Sequence, residues 1–171
     1  SQQIAEVHDG RRDSIELAGG AVADDTIEPL RGVEGITRVV IEQSQLSAAG
    51  LEVLATIPGL QQLVLRGRVV DDQGLSRLAT IRTLKILNRP RTTVSRAALV
   101  QLQQLPELML LRIGGPHLRD DCLEVIAGMP ALKFVHLIDV PVTDQGLRHL
   151  HEFKQLESLY LDGARVSGDG V

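Results

Sequence analysis

The side chains able to do chemistry are few and poorly placed for it. The five histidines are His8, His117, His136, His149 and His151. A zinc centre needs ligands at converging spacings such as Cys-x-x-Cys or His-Glu-x-x-His, and neither pattern occurs. His149 and His151 are two apart in a stretch that reads as helical, where they do not face each other. Cys122 is the only cysteine, so it cannot form an internal disulfide. With a histidine beside it, its thiol could serve as a nucleophile. The acidic pairs Asp24-Asp25, Asp71-Asp72 and Asp120-Asp121 could hold a cation or do acid–base work. They recur at one place in a repeating pattern, however, which suits helix capping better. The Gly114-Gly115-Pro116-His117 run lacks the Lys-Ser/Thr of a phosphate loop. No catalytic residue, no cofactor site and no metal site is therefore expected, and the chain reads as a non-enzyme.

Composition narrows the function further. The 171 residues are 43% hydrophobic but only 2% aromatic, namely Phe134, Phe153 and Tyr160. A core of Leu, Ile and Val suits small regular slots. The net charge of -4 argues against nucleic acid, which needs a basic face to neutralise phosphates. Arg89, Arg91 and Arg96 are the one local basic cluster. No apolar run reaches the roughly 18 residues of a membrane span, and no signal peptide is visible. The missing initial methionine and abrupt end suggest an excerpt of a longer protein. No compartment follows from this.

The elements that must position these residues come from a repeat. Ile36, Leu60, Leu84, Leu108, Leu132 and Leu156 are each 24 residues apart. The same spacing links Ile15, Val39, Leu63, Leu87, Leu111, Val135 and Leu159. It also links Leu17, Ile41, Leu65, Ile113, Leu137 and Leu161, a column interrupted by Arg89. Four further apolar columns begin at Val22, Ile27, Leu30 and Val33. Within a unit, Leu63 and Leu65 alternate as in a half-buried strand, while Leu75, Leu78 and Ile81 recur every third residue as in a helical turn. Each unit is therefore strand, turn, short helix, turn. One unit cannot bury its own edge, but stacked units share a continuous core. Helices are wider than the strand spacing of about 4.8 Å, so the stack bends with its strands on the inside.

The turns agree. Ser47, Asp71, Ser95, Thr143 and Ser167 each follow an apolar residue where an N-cap is needed. Asp72, Asp120 and Asp144 add negative charge near helix N-termini. Gly50, Gly74, Gly146 and Gly170 share a column with Ala98 and Cys122, which casts the cysteine as a packed small hydrophobe. Pro58, Pro106 and Pro130 stop the helices.

Residues 130–150, PALKFVHLIDVPVTDQGLRHL, and 156–171, LESLYLDGARVSGDGV, resemble leucine-rich repeats of the bacterial Val-Thr-Asp-x-Gly-Leu kind. These are similar in shape to ribonuclease-inhibitor-like and F-box-associated repeats. The resemblance covers residues 12–171 and implies an α/β solenoid. The expected form is a right-handed horseshoe with parallel strands on the concave face and short helices on the convex face. It departs from the family in the asparagine column, which holds Gly20, Ser44, Arg68, Thr92, Pro116, Val140 and Ala164. One domain over 1–171 is expected, with a cap at 1–11 containing a short helix over 3–9. Repeats start near 12, 36, 60, 84, 108, 132 and 156, the last incomplete.

The family mediates protein–protein contacts, so the resemblance implies a protein partner. Strand alternation turns Glu16, Val40, Val64, Asn88, Arg112, His136 and Tyr160 outward, flanked by the columns containing Ile86, Leu110 and Phe134 and containing Ile138. Ile86, Leu110, Phe134, His136, Ile138 and Tyr160 should form an apolar strip beside Arg112. Folding gives no reason for such a strip, and exposed apolar patches mark interaction sites. The expected function is a monomeric module that binds a macromolecular partner through this concave strip. Alternatives are a targeting or regulatory segment of a larger enzyme or envelope protein, or a structural spacer. Arg89 and Pro90 interrupt the fourth unit. An unpaired buried arginine is costly, so a bulge that turns Arg89 outward is expected.

Overall fold

The computed structural model describes residues 2–67, 70–89 and 91–167. Seven strands are present: β1 (Ser14–Leu17), β2 (Arg38–Ser44), β3 (Gln62–Gly67), β4 (Ile86–Arg89), β5 (Leu110–Gly114), β6 (Phe134–Ile138) and β7 (Ser158–Leu161). They form one open parallel sheet in chain order. Pairing is offset by one repeat: Ser14 lies opposite Arg38, Gln62 opposite Ile86, Leu110 opposite Phe134. Helices alternate with the strands: α1 (Gln2–His8), α2 (Asp24–Ile27), α3 (Ala48–Ala55), α4 (Asp72–Leu78), α5 (Arg96–Gln101), α6 (Asp121–Ala127) and α7 (Asp144–Leu147).

The apolar columns meet between sheet and helices. Leu63, Leu87 and Leu111 are completely buried, as are Leu60, Leu84 and Leu108. At β7 the same columns are only half-buried, at Leu156, Leu159 and Leu161. At the other end α1 covers the first strand, starting one residue before the expected helix. Val7 packs into the core, and the Gln3 amide imitates a neighbouring strand. Its Nε2 donates to the Glu16 carbonyl at 2.8 Å and its Oε1 accepts from the Glu16 N–H at 2.9 Å. This occupies edge groups that would otherwise be open to strand pairing. Arg12, in the first leucine column, pairs with Glu6 at 3.1 Å instead of entering the core.

On the helix side, the expected caps form. Ser47, Asp71, Ser95 and Thr143 each accept an N–H from the first turn of α3, α4, α5 and α7. One acid at the start of each of α2, α4, α6 and α7 does something the sequence did not reveal. Asp24 accepts the N–H and hydroxyl of Ser47 in the next unit, at 2.9 and 2.5 Å. Asp72 does the same to Ser95, Asp120 to Thr143 and Asp144 to Ser167. Each carboxylate thus clamps the following unit's cap residue. The two bonds from Ser167 hold the Asp144 carboxyl below its usual range.

The small-residue column adjoins this clamp. A Cβ on Gly50 would stand 2.1 Å from Asp24 Oδ1, and one on Gly146 2.5 Å from Asp120 Oδ1. Where Ala98 occupies the column, the clamping Asp72 is exposed and still holds Ser95 at 2.6 and 2.8 Å. Cys122 is buried in the same column, and burial pushes its thiol up to about 12. Gly170, Arg68 and Pro90 lie outside the described residues.

Glycine is also required in the turn after the strand. Gly115, at φ 157°, lies against the Thr92 carbonyl, which a Cβ would approach to 2.2 Å. Thr92 and Ser44, in the former asparagine column, are buried polar residues. The Thr92 hydroxyl donates to the Gly114 carbonyl at 2.9 Å.

Arg89 corrects an expectation. It does not turn outward: β4 runs regularly through it, paired with Ile113, and it is only 1% exposed. Its Nη1 donates to the Leu65 carbonyl at 3.2 Å, while Nε and Nη2 have no partner. Burial lowers its pKa to about 10. Turning it outward would break its pairing with Ile113 and leave the core slot between Leu65 and Ile113 unfilled.

Three outcomes follow. Asp120→Ala removes both bonds to Thr143 and should cost about 1–2 kcal/mol, read as an earlier urea midpoint. Arg89→Leu restores the apolar column and should stabilise the protein by about 1–4 kcal/mol in the same assay, and a loss of stability would refute this account of Arg89. Cys122 should resist a maleimide at pH 8 in the folded protein and react only in denaturant; rapid labelling of the native state would contradict its packed position.

Candidate functional site on the sheet face

Alternation along each strand sends one set of side chains to the core and the other to the open face of the sheet. Register then decides which outward residues are neighbours. Ile86 on β4 lies beside Leu110 on β5, and Leu110 beside Phe134 on β6. Asn88, Arg112, His136 and Tyr160 form the next row, and Ile138 lies beside Gly114. All seven residues of the predicted strip therefore fall on three adjoining rows of β4 to β7.

Exposure grades across the strip. Ile86, Leu110, Arg112, His136 and Ile138 are half-buried. Phe134 is 36% exposed and Tyr160 is 61% exposed. The His136 and Tyr160 rings are tilted at 48° with centroids 5.4 Å apart. His136 Nε2 also lies 2.7 Å from the Asp162 carboxylate. Asp162 is a member of this site that pattern reading did not single out. Its signal was its position one step beyond Tyr160 in the next outward column.

The two halves of the face differ. On β1 to β3 the outward charges pair across strands, Arg38 with Glu16 at 2.5 Å and Arg66 with Glu42 at 2.7 Å. On β4 to β6 one row is apolar, at Ile86, Leu110 and Phe134, and the next carries Asn88, Arg112 and His136. Arg112 has an Nε that is enclosed and without a partner, as is Asn88 Oδ1 in the neighbouring position.

Other chemistry-bearing side chains gather elsewhere, and several of them are already engaged. A cavity of about 380 Å³ beside α6 is lined by Arg96, His117, Asp120, Asp121, Cys122 and His149, among others. Asp120 is committed to Thr143, Arg96 to Glu124 at 2.8 Å and His149 to Glu152 at 3.1 Å. Among the described residues, no group of three or more His, Cys, Asp or Glu could hold a metal ion. Among them, too, no helix is long and apolar enough to cross a membrane.

No family model and no curated protein matches the sequence. Solved structures do match the fold. An internalin (inlF) from Listeria monocytogenes superposes with a TM-score of 0.70 at 16% sequence identity. The match covers 98% of this chain and 52% of the internalin, so the chain spans about half the length of that protein. The likeness agrees with the seven parallel strands of one open sheet alternating with helices. The fold is a leucine-rich-repeat solenoid whose sheet does not close into a barrel.

Proposed function

We propose that this chain is a protein-interaction module that holds a macromolecular partner against the outward, concave face of β4 to β7. The carrying observation is the alignment of Ile86, Leu110 and Phe134 in one lateral row, with Phe134 36% exposed. Interior packing explains the opposite face of these strands and leaves this one without a role. Tyr160 at 61% exposure and the half-buried Arg112 add residue types that anchor interfaces. The fold shared with an internalin is compatible with a broad binding surface rather than a deep pocket.

On this reading residues 1–171 form a single non-enzymatic, monomeric domain that does not bind nucleic acid. Residues 1–11 are its cap, and its repeats are of the bacterial Val-Thr-Asp-x-Gly-Leu type, similar to ribonuclease-inhibitor-like repeats. The acidic net charge and the paired outward arginines support the exclusion of nucleic acid.

The test is an affinity capture that compares the wild type with Phe134→Asp, after circular dichroism shows both folded. A protein retained by the wild type and lost by the variant is the expected result. Equal capture by both would move binding to the helical face or the rim. No specific capture by either would favour a structural spacer.

A further inference from the structure

One charged group on the sheet face is left unused by the fold. Of the outward arginines, Arg38 and Arg66 are each spent on a glutamate of the neighbouring strand. Arg112 makes no ion pair and no hydrogen bond with any described residue. Its Nε is enclosed without an acceptor. The acids of the face are already engaged: Glu16, Glu42 and Asp162 hold Arg38, Arg66 and His136. Asn88, opposite Arg112 in register, offers only a neutral amide.

A half-buried guanidinium that lacks an acceptor has lost hydration without gaining a bond. A carboxylate is its best complement, because the planar fork donates two parallel N–H···O bonds to its two oxygens. The surroundings define the rest of the ligand. Leu110 shares the outward face of β5 with Arg112, and Phe134 lies across from Leu110. A single free cation among apolar groups does not suit a run of phosphates.

We infer that Arg112 anchors a carboxylate of the partner, so that the strip binds an extended protein segment carrying Asp or Glu over Arg112 and an apolar side chain over Leu110 and Phe134. The inference rests on the protein-interaction reading above and adds the chemistry of the partner.

A phage-displayed library of random peptides, selected on the folded protein, supplies the probe. Enriched peptides are measured by fluorescence anisotropy against wild type, Arg112→Gln, Arg112→Lys and Phe134→Asp, each confirmed folded by circular dichroism. The expected peptides place Asp or Glu beside Leu, Ile or Phe. Arg112→Gln should weaken them about tenfold or more, and Arg112→Lys should recover part of the loss because it keeps the charge without the fork. Replacing the peptide's acid by Ala should weaken binding to the wild type but not to Arg112→Gln. Peptides that lose affinity for Phe134→Asp yet bind Arg112→Gln like the wild type would overturn the carboxylate anchor and leave the interaction reading standing. Peptides indifferent to both positions, or no enrichment at all, would overturn the two together.

Discussion

A strand of four to seven residues cannot enclose its own inner side chains, and in this chain no strand does so alone. Leu63 on β3 reaches complete burial because β2 and β4 present Val39 and Leu87 beside it, one repeat away on each side. Burying each such leucine is worth about 1.5–3 kcal/mol, but only while both neighbours stay in place. The parallel register is therefore the constraint on which the molecule depends. A slip of one residue would turn every core column to solvent. The half-buried Leu156, Leu159 and Leu161 show the same columns where only one neighbour is described.

The helices face the same problem more sharply. They run for four to eight residues, too short to be stable from backbone hydrogen bonds alone. Their ends are held by bonds within the unit and between units. The cap residue satisfies its own helix, and a carboxylate of the preceding unit grips that cap residue through its N–H and hydroxyl. The clamp is absent where the chemistry is missing. Ala48 stands where an acid would reach Asp71, and Arg96 where one would reach the next cap position. Arg96 instead reaches forward to Glu124, so a different ion pair spans the same gap. The small-residue column is the steric counterpart, since Gly50 and Gly146 leave the room in which Asp24 and Asp120 sit.

These relations explain what could be read from the sequence. Leu60, Leu84 and Leu108 announced the core because periodic burial demands periodic residues, and Ser47, Ser95 and Thr143 announced the caps because a cap acts on its own helix. Cys122 was readable from its column. The clamping role of Asp24 and Asp120 was not, because it depends on where one unit's helix start falls beside the next. Gln3 was equally silent, since imitation of a strand by a side-chain amide leaves no pattern. Arg89 misled for a different reason. Single-residue energetics favour expelling it, yet expulsion would break its pairing with Ile113 and empty the core slot between Leu65 and Ile113. A local cost at the end of one strand is tolerated when the alternative is a cavity between two packed units.

The outward columns are where that constraint loosens, and they can therefore hold information about a partner. Core columns accept little besides Leu, Ile and Val, whereas the outward rows carry Glu16, Val40, Asn88, Arg112, His136 and Tyr160 in one series. The chain uses this freedom unevenly. Along β1 to β3 the outward charges neutralise one another across strands, which leaves that half electrostatically closed. Along β4 to β7 apolar residues adjoin one another in register around an arginine that pairs with no acid among the described residues. Neither feature serves the solenoid, because removing both would leave the strands paired and the core filled. Residues that the fold does not need, brought together by the register it does need, are the physical basis for the proposal that recognition belongs to this half of the sheet.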